Sequence, residues 1–410
     1  IGRSIFLIPF TFLPFGFIFL SGLFLHLLNL VLLTLILRRK GVPSPYALLY
    51  LFFPLAAWEA RTLFPELAVL SLFLSAYYFW SHQKMHTAFI AGLVVGFSVF
   101  FRIDAVLGPL AFFIHALFRE RRLVLPLIAG GLLPALLFFG FNTTLYGSPF
   151  STGYGSALDQ VGVSLNPEFF INLFTYLPLL FLALPFSLYA ALKDRNDWVF
   201  FSVLIGGTVL FFSHFTNFWH FPFSIPLTFT ARLRYFLPLL GLLFIPTLTL
   251  FHQWYSNTVV RKKIEPYLHV GILIFFLMAG IGLVALNHSH YQLAAPRAEV
   301  GEWIHSTIPS GATVIGTADD CIYFLPPIFG EKYYHKVDQI QSTVLPSTYY
   351  VLEIEYLSQT GKDGVRQETV AAERKKLSDF IAAHAGELTP VLVKNEQYHL
   401  TIWKKGESGK

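Results

Sequence analysis

Long apolar runs separated by short polar or basic segments recur along the first two thirds of the chain. They repeatedly approach the length of about 20 residues that a helix needs to cross a hydrocarbon core. The pattern predicts about ten membrane spans, several of them short, at 10–37, 44–57, 67–80, 87–101, 104–118, 123–141, 169–192, 198–213, 235–254 and 267–287. Arg102 and Asp104 interrupt one apolar stretch, 88–118, which predicts two short or tilted helices that meet at one membrane surface.

A different pattern begins after His288. A helix is predicted at 297–306 and a β-branched strand at 312–317. An alternating strand at 349–356 and a helix at about 368–385 follow, before a hairpin of two strands, 388–394 and 398–404. The predicted fold class is therefore mainly α: a polytopic transmembrane helical bundle in 1–288, followed by a small soluble α/β domain in 289–410.

Composition supports this division of the chain. Hydrophobic residues make up 55% and charged residues only 13% of the sequence, and the mean hydropathy is +0.59, which excludes an ordinary soluble globular protein. Residues 1–288 carry 17 Lys/Arg against 9 Asp/Glu, a net charge of +8, whereas 289–410 carry 12 against 15, a net charge of −3. The single cysteine, Cys321, excludes an internal disulfide framework.

The basic residues of the first part predict its orientation. Twelve of them fall in alternate loops, at Arg38–Lys40, Lys84, Arg119–Arg122, Lys193–Arg195 and Arg261–Lys263. By the positive-inside rule these loops are cytoplasmic, so the longer loops and the C-terminal domain face the exoplasmic side. Because the basic residues lie in short clusters between apolar runs, we expect no nucleic-acid partner. The predicted localisation is the plasma (inner) membrane of a prokaryote.

Ionisable residues at the exoplasmic boundary are the candidate site, because charge is costly near a membrane and is usually retained for function. Arginine suits a phosphate, since its planar fork donates two hydrogen bonds. The alternatives are an interfacial loop around Glu66, a local ion pair between Arg102 and Asp104, and interfacial placement of Arg234. His214 and His220 lie six apart in one loop, and either a ligand role or aromatic packing suits them.

Four segments, taken in order, resemble the GT-C superfamily of polyprenyl-phosphate-sugar-dependent glycosyltransferases, in particular its protein mannosyltransferase-like prokaryotic members. Their order, spacing and common predicted side carry the resemblance, which covers most of the chain. The segments are Arg61–Glu66, Ala91–Gly96 leading to Phe101–Ala105, Asn142–Tyr154, and Arg234–Pro238.

The resemblance implies inverting transfer of a sugar from a polyprenyl-phosphate carrier on the exoplasmic face. The donor would be a lipid-phosphate-linked sugar, and the acceptor would be a glycan, a lipid or a protein. The resemblance points to no particular cofactor, and it leaves open whether a divalent metal is needed. Glu66 would be an acidic residue near the site, with Asp104 as an alternative base. The residues that the resemblance assigns to substrate binding are Arg61, Arg102, Arg234 and Tyr235.

The first residue is Ile, and the first predicted span already ends at Arg38–Lys40. The family's first helix and first exoplasmic loop, which carries its acidic catalytic residue, are therefore expected before Ile1. Two other classes remain open: a polytopic transporter or lipid flippase, and a non-catalytic envelope assembly protein.

Overall fold

The computed structural model describes twelve ranges and three single residues of the chain. They are residues 2–12, 20–62, 64–152, 155–156, 167–214, 233–257, 299–309, 311–317, 333–337, 345–356, 364–395 and 398–406, with 267, 271 and 274. Two compact units divide the chain, one with the described residues up to 274 and one with those from 299.

The secondary structure of the described residues of the first unit is helical, apart from one two-stranded hairpin. Its α-helices are α1 Gly2–Thr11, α2 Leu20–Arg39, α3 Leu48–Leu51, α4 Pro54–Glu59, α5 Glu66–Trp80, α6 Met85–Phe97, α7 Leu107–Arg119, α8 Val124–Tyr146, α9 Pro167–Ala183, α10 Ser187–Lys193, α11 Trp198–Ser213 and α12 Leu237–Ser256. The hairpin pairs β1 Ser151–Thr152 with β2 Gly155–Ser156.

Three of these helical segments have the length and hydropathy to cross a membrane alone: Leu20–Arg39, Arg121–Tyr146 and Arg234–Ser256. A bent pair formed by α9 and α10 would be a fourth, and α5, α6 with its following turn, and α11 are shorter apolar helices. The predicted fold class, a mainly α-helical transmembrane bundle, is confirmed. The count of about ten spans stays a prediction, because most of 267–287 lies outside the described residues.

Two predicted spans are not single helices. Residues 44–57 form a 3-10 turn and the short helices α3 and α4, because Pro54 removes a backbone donor between them. Residues 169–192 bend by 90° between α9 and α10. Pro185 and Phe186, whose φ is +65°, occupy this bend.

Helix α5 lies at the centre of the bundle. It packs against α2, α6 and α12, and most of its side chains are buried, from Glu66 to Trp80. Helix α12 is similarly enclosed. Because α5 is apolar on all sides, it has no polar face that must meet water, and the neighbouring helices bury it.

Helices α6 and α8 run in the same direction and approach at two glycines. A Cβ atom on Gly92 would lie 2.1 Å from the carbonyl oxygen of Leu127, and one on Gly130 would lie 1.9 Å from that of Phe89. Small residues at such contacts let helix backbones pack closely in a membrane. The opposite side of α8 exposes Leu125, Ile128, Leu132, Leu133 and Leu136.

The second unit is a five-stranded mixed sheet with a helix on each face. Its strands, in the order β4-β3-β5-β7-β6, are β3 Thr313–Gly316, β4 Tyr333–Lys336, β5 Tyr349–Tyr356, β6 Leu388–Asn395 and β7 Tyr398–Lys405. Strands β3, β4 and β5 are parallel, and β5, β7 and β6 are antiparallel.

Alternate residues of β5 explain why both faces of this sheet are covered. Leu352 packs with Ile304 of α13, a helix at 299–307. Val351 packs with Leu377 of α14, Gly364–Ala383. Successive strand side chains point to opposite faces, so an apolar residue at both positions requires a layer on each side. The predicted α/β domain and its C-terminal hairpin are confirmed.

Candidate active site

Glu66 is the first residue of α5 and is buried. Its position at the helix N-terminus is favourable for a carboxylate, because unpaired backbone N–H groups and the helix dipole stabilise negative charge there. Atom Oε1 accepts a hydrogen bond from Arg102 Nη1 at 2.6 Å. The other carboxylate oxygen, Oε2, is buried and has no hydrogen-bond partner among the described residues.

Arg102 lies in the break between α6 and α7, where the backbone is extended with φ −155° and ψ 136°. This extended residue precedes the 3-10 turn Ile103–Val106 and brings the guanidinium to Asp104, two residues ahead in that turn. Asp104 accepts two hydrogen bonds, from Arg102 Nε at 2.9 Å and from Nη2 at 3.1 Å. The expected local ion pair therefore forms, and its arginine also reaches a second carboxylate 36 residues away. The alternative, that Arg102 binds a phosphate, stays a prediction.

Arg234 and Tyr235 approach from a third element, the 3-10 turn Arg234–Phe236 that precedes α12. Arg234 Nη2 donates a hydrogen bond to Tyr235 Oη at 2.6 Å, and its guanidinium lies 4.2 Å from the ring centroid of Phe64. The Tyr235 ring also lies 4.8 Å from the guanidinium of Arg102. Tyr235 thus stands between the two arginines.

The two arginines differ in what neutralises them. Arg102 is held by two carboxylates, whereas no carboxylate of the described residues forms an ion pair with Arg234, and its Nε is buried without a hydrogen-bond partner there. Arg234 can therefore accept an anion, while Glu66 Oε2 can accept a proton. A hydroxyl group could be deprotonated beside a cation that stabilises a phosphate.

Arg61 is placed differently from the other predicted residues. Its exposed guanidinium lies 5.8 Å from the ring of Trp58, and it lines a cavity of about 540 Å³ whose other lining residues are Leu20, Leu23, His26, Leu51, Ala57 and Ala60. None of the cluster formed by Glu66, Arg102, Asp104, Arg234 and Tyr235 lines that cavity. The structure brings together five of the six predicted site residues.

At the far end of α5 lies a second charged cluster that the sequence interpretation missed. Lys40 Nζ pairs with Asp194 at 2.9 Å and with Asp197 at 2.7 Å, and Tyr77 donates a hydrogen bond to Asp197. Because a 15-residue helix is about 22 Å long, this cluster is well separated from Glu66. The sequence does show two acidic residues, Asp194 and Asp197, in this loop, and they could have indicated the cluster. The loop was instead assigned to the cytoplasmic side from its basic residues alone.

Burial and charge act in opposite directions on this second cluster. Burial alone would raise the pKa of Asp197, but the ammonium of Lys40 and hydrogen bonds from Lys40 and Tyr77 outweigh it and hold that pKa below its ordinary value. Burial would likewise lower the pKa of Lys40, but Asp197 and Asp194 raise it above its ordinary value. Asp197 and Lys40 are therefore both charged at neutral pH.

Metal ligands do not converge in the part of the chain that the structure describes: no group of three His, Cys, Asp or Glu side chains there could hold an ion. The ring of His214 packs on Phe169, with centroids 4.6 Å apart. His220, its expected partner, lies outside the described residues.

No protein-family model and no curated protein matches the chain. Two solved structures of ArnT from Cupriavidus metallidurans are similar to it, one in the apo state and one bound to undecaprenyl phosphate. Their TM-scores are 0.59 and 0.58, and each alignment has 12% sequence identity and covers 96% of this chain and 84% of the ArnT chain. This chain therefore has the fold of ArnT, as expected from the resemblance to GT-C glycosyltransferases.

Proposed function

We propose that this protein is a membrane glycosyltransferase of the GT-C type, which transfers a sugar, with inversion, from a polyprenyl-phosphate carrier to an acceptor on the exoplasmic face. The observation that carries the proposal is that a buried carboxylate, Glu66, lies in one cluster with an arginine, Arg234, that forms no ion pair with a carboxylate of the described residues. One similar fold, ArnT, was solved with undecaprenyl phosphate. We propose in addition that the transferred sugar is a hexose or a pentose, and that the protein is similar to the protein mannosyltransferases within this group.

The geometry suggests a distinct role for each charged residue. Arg234 binds the phosphate of the carrier and stabilises the negative charge that it gains when the sugar leaves. Arg102, already held by Asp104, fixes the orientation of Glu66. Of the two carboxylates, Glu66 is the better base for an acceptor hydroxyl, because both oxygens of Asp104 accept hydrogen bonds from Arg102.

A transporter is the rival class, and the distribution of ion pairs does not favour it. Secondary transporters bind their substrates near the middle of the membrane. Within the described part of the bundle, the partly buried ion pairs lie at the two ends of α5. We therefore place sugar transfer at the end of α5 that carries Glu66.

The test is a binding measurement with undecaprenyl phosphate as the probe. Replacing Arg234 with Ala removes the cation proposed for the phosphate, so we expect affinity to fall by about ten-fold or more, the loss typical of a charged hydrogen bond. Native mass spectrometry of the detergent-solubilised protein, titrated with the lipid, measures this fall. In membranes the same variant should lose sugar transfer while expression is unchanged.

Two controls make the result specific. Arg121→Ala removes an equal charge from an exposed position whose side chain donates only to the carbonyl of Leu117, and it should leave binding unchanged. Undecaprenol, which lacks the phosphate, should bind the wild type and Arg234→Ala equally. Undiminished undecaprenyl phosphate binding in Arg234→Ala would refute the phosphate role.

A further inference from the structure

A cavity of about 570 Å³ opens at the end of the bundle that lies away from Glu66. Four segments form its wall: the end of α2, the end of α5, the loop between α10 and α11, and the middle of α12. Polar and charged residues dominate this wall, among them Arg39, Lys40, Lys193, Asp194, Arg195 and Asp197.

The acidic residues of the wall are already paired with a cation. Asp194 and Asp197 both pair with Lys40, the cation at the base of the cavity. The side chain of Asp194 also accepts hydrogen bonds from the backbone N–H groups of Asn196 and Asp197. This buried cluster shapes the loop and carries one net negative charge.

Three further cations remain at the mouth, each exposed: Arg39, Lys193 and Arg195. No carboxylate of the described residues forms an ion pair with any of them. Arg39 donates a hydrogen bond from Nε to the carbonyl of Ser81 at 3.2 Å, which leaves its terminal nitrogens available to other acceptors. The cavity therefore has four cations against two anions, an excess of two positive charges at its entrance.

Apolar side chains flank the same loop. Tyr189, Leu192 and Trp198 are 52%, 63% and 45% exposed, respectively, and the Lys193 ammonium lies 5.4 Å from the Tyr189 ring. Exposed aromatic residues beside lysine are typical of the headgroup level of a membrane. The mouth thus combines a surface for acyl chains with cations for a headgroup.

We propose that this cavity binds the phosphate of an anionic phospholipid, such as phosphatidylglycerol. Its basic loops are those that the positive-inside rule places on the cytoplasmic side, and basic pockets between helices on that side bind anionic headgroups. Arg39, Lys193 and Arg195 bind the phosphodiester, and the Lys40 cluster holds the loop that presents two of them. The proposal is independent of the glycosyltransferase function.

The test uses a triple variant, Arg39→Gln, Lys193→Gln and Arg195→Gln, which leaves the buried Lys40 cluster intact. Binding of phosphatidylglycerol and phosphatidylcholine to the solubilised protein is measured by native mass spectrometry. We expect phosphatidylglycerol affinity to fall about 100-fold, since each basic residue near an anionic headgroup contributes about five-fold. Phosphatidylcholine has the same phosphodiester, but its choline cation offsets the charge, so its affinity should be lower in the wild type and should fall less than about ten-fold in the variant.

A matched triple variant removes the same charge elsewhere: Arg38→Gln, Lys84→Gln and Arg121→Gln, all exposed and none lining the cavity. It should bind phosphatidylglycerol like the wild type. A loss of less than ten-fold in the cavity variant, relative to the matched variant, would overturn the proposal. Equal affinity for soluble glycerol phosphate would also overturn it, because the occupant would then be a free phosphate.

Discussion

Asp104 and Glu66 share one arginine but hold it differently, and this difference separates their expected roles. Both oxygens of Asp104 accept from Arg102, whereas Glu66 uses only Oε1. We expect Glu66→Gln to reduce the initial rate of sugar transfer by about 100-fold or more, the contribution of a general base. Asp104→Asn should cost less, about ten-fold, because it loosens Arg102 without removing the proton acceptor.

Transfer rates in membranes containing equal amounts of each variant check this order. Glu120→Gln is the control, because Glu120 pairs only with the exposed Arg122, at 3.3 Å. A larger loss in Asp104→Asn than in Glu66→Gln would make Asp104 the base.

The Lys40 cluster predicts how stability responds to acid. The pKa of Asp197 is lowered from its ordinary value of 3.8, so the ion pair stabilises the fold above that pH, and the contribution is lost as pH falls through the folded-state pKa. Thermal unfolding in detergent between pH 7 and pH 3 should therefore show a wild-type advantage over Asp197→Asn that shrinks below about pH 4. An advantage that is independent of pH would contradict this role for the charge.

Several residues of the site could be predicted from the sequence because each is individually out of place. A charge beside an apolar span is costly wherever the span lies, so Glu66, Arg102 and Arg234 stand out without a structure. Their partners do not stand out, because the contact between Glu66 and Arg102 joins positions 36 residues apart. Asp197 was missed for a related reason: a carboxylate next to basic loop residues is typical of a solvated loop, and only tertiary packing buries it against Tyr77.

At the scale of elements, the contact between α6 and α8 depends on the absence of side chains at Gly92 and Gly130. Gly130→Ala would place a methyl group 1.9 Å from the carbonyl oxygen of Phe89, so the helices must separate. We expect a loss of about 1–3 kcal/mol, the usual cost of overpacking, measured by unfolding in detergent.

The same helix offers a matched control. A Cβ atom on Gly140 would meet nothing within 4 Å, so Gly140→Ala should be neutral or slightly stabilising, since alanine favours a helix. Equal destabilisation by the two substitutions would show that helix packing is not the cause.

Helix positions could largely be predicted from apolar runs, but their continuity could not. The prediction for 67–80 agrees with α5, and that for 198–213 agrees with α11. The run at 169–192 is as apolar as either, yet it bends by 90°. Hydropathy records how a segment partitions into lipid, whereas Pro185 acts on backbone hydrogen bonds, which hydropathy does not record.

At the scale of the whole molecule, the orientation of the bundle is open to a direct test. Lys84 precedes α6, and Phe150 follows α8; because these two helices run in parallel, the two residues lie toward opposite ends of the pair. With Cys321 replaced by Ser, a membrane-impermeant maleimide should label Phe150→Cys in intact cells. It should label Lys84→Cys only after permeabilisation, as the positive-inside rule predicts. The reverse pattern would invert the orientation.

The outer side of α8 has a consequence for how this sequence can change over time. Its exposed leucines and isoleucine need only remain apolar, because lipid imposes no shape on them, whereas the glycine contacts on the inner side admit no larger residue. Substitutions can therefore accumulate on lipid-facing positions without moving the backbone. Such unequal constraint offers a physical reason why a chain with 12% sequence identity to ArnT can share its fold over 96% of its length.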